Sequence, residues 1–146
     1  MKNEFREKFC IEEYTLFESQ YWVVSLRPKQ PTLGALLLSV KSDCSSFSEL
    51  SDSETKDLSL VFRKIEMSLK GLFDYEKINY LALMMIDDHV HFHVLPRYSR
   101  SRTFNGKEYV DVAWPAQPDI LSSVMEIETL KNLYKVLKLK FDEAEY

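Results

Sequence analysis

The chain has 146 residues, enough for one domain with a substantial core, and its 45% hydrophobic and 29% charged content is globular rather than disordered. A formal net charge of −4 argues against a nucleic-acid polymer or an anionic membrane surface as partner, and leaves room only for local positive potential, such as a small phosphorylated ligand needs. With three glycines and five prolines the chain offers no linker, so residues 1–146 are expected to form a single domain.

The first twenty residues are charged and hold no continuous apolar stretch, so no export signal is expected, and no run approaches the roughly 20 apolar residues of a membrane span. Residues 21–26, aromatic and β-branched, predict a strand. Residues 27–32 carry Pro28 and Pro31 and read as a connection, after which Gly34 opens the apolar run 35–40, dense enough for a strand buried on both faces. The two strands predict an antiparallel pair. Ser51 and Glu54 then have the spacing of a capping box, where each side chain satisfies a free N–H of the first helical turn. Leu58, Val61, Phe62, Ile65, Leu69, Leu72 and Phe73 follow as a stripe of 3.6-residue period, and Gly71 is expected to mark the helix end.

Residues 79–86 (NYLALMMI) predict a central strand, with Asp87 and Asp88 as a tight connection to an antiparallel strand over residues 89–96. Residues 97–119 are polar, with a turn at Asn105-Gly106 and breaks at Pro115 and Pro118; a segment this long without clear structure usually serves a site or an interface. Ile127, Leu130, Leu133, Tyr134 and Leu137 predict a second amphipathic helix. The expected class is α+β, a largely antiparallel sheet with helices packed on it. Cys10 and Cys44 lack CxxC spacing, which fits a reducing, cytoplasmic compartment.

All three histidines of the chain, His89, His91 and His93, fall within five residues. On a strand they share one face, while Val90, Phe92 and Val94 point oppositely into the core. Three imidazoles on one face are costly as packing, because each needs hydrogen-bond partners once buried. One functional reading is a metal site, with Asp87 or Asp88 as further ligands. The other is phosphate chemistry. Neighbouring rings would lie about 6–7 Å apart from the strand rise. At an effective dielectric near 20, two imidazolium charges then repel by about 2.5 kcal/mol, nearly two pKa units. The triad is therefore expected to hold neutral imidazole beside at most one or two protonated rings at neutral pH. A neutral ring attacks phosphorus, while a protonated neighbour binds the phosphate oxygens and stabilises the charge of the transition state; the middle histidine is the best placed to attack.

The run HVHFHVLPR resembles the signature of the histidine-triad (HIT) superfamily, and the trailing Pro96-Arg97 is similar to its diadenosine-polyphosphate hydrolase branch. Upstream, WVVSLRPKQPTLGALLLSVK is similar to the family's paired strands and Pro-rich loop, so the likeness covers roughly residues 14 to 100. The resemblance implies a five-stranded antiparallel sheet with two main helices, commonly a homodimer, and nucleotide hydrolysis or transfer through a nucleotidyl-histidine. It implies His91 as nucleophile, His93 on the α-phosphate and His89 as an orienting and polarising group. It implies no required metal or other cofactor, magnesium arriving only with the nucleotide; zinc at the triad is the minor alternative. The small-molecule partner is then a nucleotide, a dinucleoside polyphosphate or a nucleoside phosphoramidate.

Two departures stand out. Ala35 follows Gly34 where many members have Gly-His, and Met85 to Asp88 occupy the stretch where many carry Gly-Gln and a hydroxyl residue. Losing such a donor costs about 2.7–4 kcal/mol in a transition state, so slower activity, a different substrate or a nucleotide-binding module without turnover are the expectations to weigh. Arg97, just beyond the triad, is a candidate for a β- or γ-phosphate; Asn79 is a candidate phosphate contact or turn cap; Arg27 and Lys29 sit in the loop expected to face the ligand. Trp22 and Trp114 are candidates for base stacking or core packing, and residues 104–115 (FNGKEYVDVAWP) for a cover over the site or a dimer contact.

Overall fold

Five short segments with apolar residues on alternate or on both faces pair into one sheet. In the computed structural model, which describes residues 1–145, these are β1 (Thr15–Glu18), β2 (Trp22–Leu26), β3 (Leu36–Val40), β4 (Lys77–Leu81) and β5 (His91–Arg97). They lie in the order β1-β2-β3-β5-β4, every neighbouring pair antiparallel. The expected α+β class with a five-stranded antiparallel sheet is the observed one. The pair predicted at 21–26 and 35–40 forms β2 and β3, in register from Trp22 opposite Val40 to Leu26 opposite Leu36. Both strands are buried along their whole length because both sheet faces are covered.

One face carries Trp22, Val24, Leu26, Leu36, Leu38, Val40, Val90 and Val94. Against it pack the two main helices, α3 (Asp52–Phe73) through Leu58, Val61, Ile65, Leu69 and Phe73, and α4 (Ile127–Glu143) through Leu130, Leu133, Leu137 and Phe141. The capping box is present: Ser51 Oγ accepts from Glu54 N, and Glu54 accepts from Ser51 N at 2.7 Å. Two expectations need correction. Ile127 opens α4 but is 68% exposed, because it precedes the stripe that meets the sheet. Gly71 does not end α3; the helix runs to Phe73, where Asp74 takes the left-handed cap conformation. Gly71 stays inside, and its missing Cβ admits Lys140 of α4, whose Cε lies 2.9 Å from where that carbon would be.

The other face is covered by the N-terminus, for which the sequence predicts no element. Helices α1 (Asn3–Lys8) and α2 (Ile11–Tyr14) set Phe5, Phe9 and Ile11 on Val23 and Leu37. Helices this short show no periodic stripe, so tertiary contact rather than propensity holds them.

The strand predicted at 79–86 is also different. β4 is an edge strand, not a central one, and spans only Lys77–Leu81, pairing from Lys77 opposite Arg97 to Leu81 opposite His93. The connection to β5 is not the two-residue turn expected but runs through residues 82–90, and Met85 and Ile86 are 85% and 89% exposed. An apolar run alone does not distinguish a buried strand from the wall of a cavity. Likewise β5 begins at His91 rather than at residue 89. Within 97–119 the Asn105-Gly106 turn is borne out: both residues have positive φ (53° and 78°) and join β6 (Arg102–Phe104) to β7 (Lys107–Tyr109). Among the described residues no helix is long and apolar enough to cross a membrane.

Candidate functional site

Strand alternation places His91 opposite Ser39 and His93 opposite Leu37, on the face roofed by α1, while Val90 and Val94 join the core on the other. His89 lies just ahead of the strand, and all three histidines are buried. The Phe5 ring centre is 4.9 Å from that of His89 and 5.1 Å from that of His91, and Phe9 lies 6.0 Å from His91 and 6.2 Å from His93. The His91 and His93 rings are 5.0 Å apart, edge to face, closer than the strand rise alone predicts.

Hydrogen bonding assigns the tautomers. His91 Nδ1 lies 2.5 Å from the His89 carbonyl, which only accepts, so Nδ1 carries the proton. Nε2, on the other side of the ring, is left as a bare lone pair. Arg27 Nε donates to His93 Nδ1 at 3.0 Å, which makes that nitrogen the acceptor and puts the His93 proton on Nε2. His89 Nε2 donates to the Val40 carbonyl at 2.8 Å. Thus His91 offers a nucleophile and His93 a donor, while the orienting group supplied by His89 is its main-chain carbonyl.

Burial pushes all three imidazoles below the ordinary histidine range. For His91 burial outweighs its bond to the His89 carbonyl; for His89 it outweighs the bond to Val40. His93 is driven furthest, to about 3, by burial first and then by the Arg27 charge. The protonated neighbour expected to bind phosphate gives way to three neutral rings, because burial, a larger effect than mutual repulsion, lowers all three. Positive charge comes from Arg27 instead, itself lowered by burial to about 10 and still charged at neutral pH.

His91 and His93 open onto a cavity of about 380 Å³. Arg27, Lys29 and Lys8 bring cations to its lining, and Phe9, Met84, Ile120 and Leu121 bring apolar surface. The loop that presents Arg27 is built around Gln30: its Oε1 accepts from the Gly34 and Ala35 N–H groups at 2.9 and 3.0 Å, and its Nε2 donates to the Arg27 and Ala35 carbonyls. Val124 N donates to the Gln30 carbonyl at 2.9 Å, tying to this loop the segment that carries Ile120 and Leu121.

The structure does not bring the other candidates to the cavity. Arg97 is buried, paired with Asp111 through Nε at 2.7 Å and bonded to the Asn79 Oδ1 at 2.9 Å and the Ala116 carbonyl at 2.8 Å. Arg97 and Asn79 thus form a cluster of their own, in which the guanidinium donates to Asp111, Asn79 and the Ala116 carbonyl. Trp22 is core, donating to the Glu54 carbonyl at 2.8 Å, and Trp114 is half-buried away from the cavity lining. Residues 104–115 supply Asp111 to Arg97, not a cover. Sequence reasoning missed Phe5, Phe9, Lys8 and Gln30. A glutamine between Pro28 and Pro31 was the one available hint, since a loop that must bury its backbone needs such a carboxamide. Among the described residues no three or more His, Cys, Asp or Glu side chains gather closely enough to hold a metal ion.

Residues 11–100 match the HIT domain family. No curated protein sequence matches the chain. Among solved structures the chain is similar to a histidine triad protein from Bradyrhizobium japonicum, with TM-score 0.67, 16% identity, and coverage of 97% of this chain and 96% of that one. It is similar to a histidine triad protein from Marinobacter aquaeolei VT8, with TM-score 0.66, 20% identity, and coverage of 95% and 96%. A diadenosine triphosphate hydrolase from Plasmodium falciparum, solved with cyclomarin A, gives TM-score 0.62 at 17% identity, over 89% of this chain and 77% of that one. At such identities the likeness is one of fold.

Proposed function

The chain belongs to the HIT domain family, and from that premise we propose that it is a nucleotide phosphohydrolase or nucleotidyl transferase whose nucleophile is His91. The observation that carries this reading is the bond from His91 Nδ1 to the His89 carbonyl, which frees Nε2 for attack. Nε2 forms a bond to the α-phosphorus as the bond to the leaving oxygen breaks, and the electron pair departs with that oxygen. His93 Nε2–H donates to a non-bridging oxygen, where charge accumulates. Arg27 keeps His93 in that tautomer and supplies the neighbouring positive charge. Water then cleaves the nucleotidyl-His91 bond.

The apolar part of the cavity suits a nucleobase, and the cationic part suits phosphate. The enzyme would need no metal of its own, magnesium arriving with the nucleotide. It would act in the cytoplasm as a homodimer, for which the edge strand β4 would serve sheet-to-sheet pairing. Similarity in fold to a diadenosine triphosphate hydrolase favours dinucleoside polyphosphates among the candidate substrates.

Replacing His91→Ala should lower turnover of diadenosine polyphosphates by about a thousandfold or more, while the protein keeps its melting temperature and binds AMP. Parent enzyme quenched during turnover should carry a nucleotidyl adduct by intact mass. A variant that retained parental turnover would remove His91 as nucleophile.

A further inference from the structure

The leaving group is the open part of that reaction, and the roof of the cavity bears on it. Lys8, in the last turn of α1, and Asp87, in the 82–90 connection, meet at 2.6 Å, and both line the cavity that His91 and His93 share. Their side chains remain 47% and 22% exposed, so a bound anion reaches them without disruption of the core.

With the histidines neutral, the charge of the cavity is three cations, Lys8, Arg27 and Lys29, against the single carboxylate of Asp87. Arg27 is committed to His93 Nδ1 and to the Lys29 carbonyl. Lys8 has a different kind of partner, a carboxylate that a phosphate oxygen can replace like for like. Lys8 and Asp87 act on both His91 and His93 with opposite sign, Asp87 the more strongly, so the pair faces the same cavity as the two rings. A phosphoramidate or a monoester offers one phosphate to this set; a polyphosphate offers further anionic groups beyond the α position.

Resting on His91 as the nucleophile, we propose that Lys8 and Asp87 form a leaving-group subsite: Lys8 binds a phosphate beyond the α position, and Asp87 holds Lys8 in place until that phosphate displaces it. The favoured substrate is then a dinucleoside polyphosphate. As the His91 Nε2–phosphorus bond forms, the bridging oxygen leaves with its electron pair on the next phosphate, and Lys8 meets the negative charge that appears there. Asp87, which repels an anion, sets how tightly that chain is held.

The two residues predict effects of opposite sign. Parent, Lys8→Met and Asp87→Asn proteins would be titrated calorimetrically with AMP and with inorganic tripolyphosphate at low ionic strength, with melting temperatures recorded alongside. Lys8→Met should weaken tripolyphosphate binding about tenfold more than AMP binding, the scale of one charge-assisted contact. Asp87→Asn should strengthen tripolyphosphate binding, and both effects should shrink as salt is added. A bridge that only braces the roof predicts the same sign for both variants. Shifts of the same sign, equal shifts for the two ligands, or a parent that does not bind tripolyphosphate would each overturn the subsite. The nucleotidyl-His91 adduct is read separately by intact mass. Opposite signs without an adduct leave the anion subsite standing and remove the nucleophile; an adduct with coincident signs does the reverse.

Discussion

An unperturbed imidazole with a pKa near 6.5 is already mostly neutral at pH 7. Packing Phe5 and Phe9 against His89, His91 and His93 pushes all three further down, because burial disfavours the charged ring. The nucleophile is thus ready at neutral pH without a base to deprotonate it. The acid limb of kcat/KM should accordingly lie below pH 6.5, and a pH profile with half-maximal activity at or above that value would contradict the burial argument. Stability follows the same groups. Above the unfolded pKa of about 6.5 both states bind no proton on these rings, and their burial contributes fully. As pH falls, the unfolded chain takes up protons that the fold refuses, so stability declines from about pH 6.5 toward the His93 value of about 3. Urea unfolding should show a lower midpoint at pH 5.5 than at pH 7, a window above the unfolded carboxylate values of about 4 to 4.5, from which Glu54 and Glu76 are lowered in the fold.

Among the elements, two glycines that look alike in sequence do opposite work. Gly34 has φ of 86° and would place a Cβ 3.1 Å from the Phe73 ring and 3.3 Å from Leu69, at the end of the loop that presents Arg27. Gly71 sits inside α3 and faces only the flexible end of Lys140. Gly34→Ala should destabilise by about 1–3 kcal/mol, combining left-handed strain with overpacking. Gly71→Ala should be neutral or stabilise by up to about 1 kcal/mol, because the helix gains propensity and the lysine end moves aside. Denaturant unfolding of the two variants checks the contrast. The same distinction between local pattern and surroundings explains residues 82–86. They are as apolar as a strand, yet β5 pairs with β4 only through Leu81, and past that point the chain walls the cavity with Met84, Met85 and Ile86.

At the scale of the whole molecule, the long excursion after β5 is tied back to the sheet by a buried ion pair. Arg97 and Asp111 side chains are 5% and 1% exposed, and Asn79 of β4 and the Ala116 carbonyl take the remaining bonds of the guanidinium. Arg97→Met would leave Asp111 buried without its cation and should cost about 3–5 kcal/mol. Because Arg97 lies outside the cavity, the expected loss is in unfolding free energy rather than in the affinity for AMP. If AMP binding fell while stability held, Arg97 would be a ligand contact after all, as its place after the triad in sequence suggests.

The sequence by itself determined the sheet pair at β2 and β3, the capped helix α3, the α4 stripe and the shared face of the three histidines. These are properties of spacing along the chain: periods of two and 3.6 residues and a capping box are local, and local signals survive without knowledge of the fold. Only the tertiary structure decided which residues stand around the triad. Phe5, Lys8 and Phe9 are eighty or more positions from the histidines, and Arg27 is 66 positions from His93, so no local pattern announces their meeting. It also decided the charge of the rings. Mutual repulsion is legible from spacing, whereas desolvation depends on what the rest of the chain lays over them, and here burial is the larger of the two.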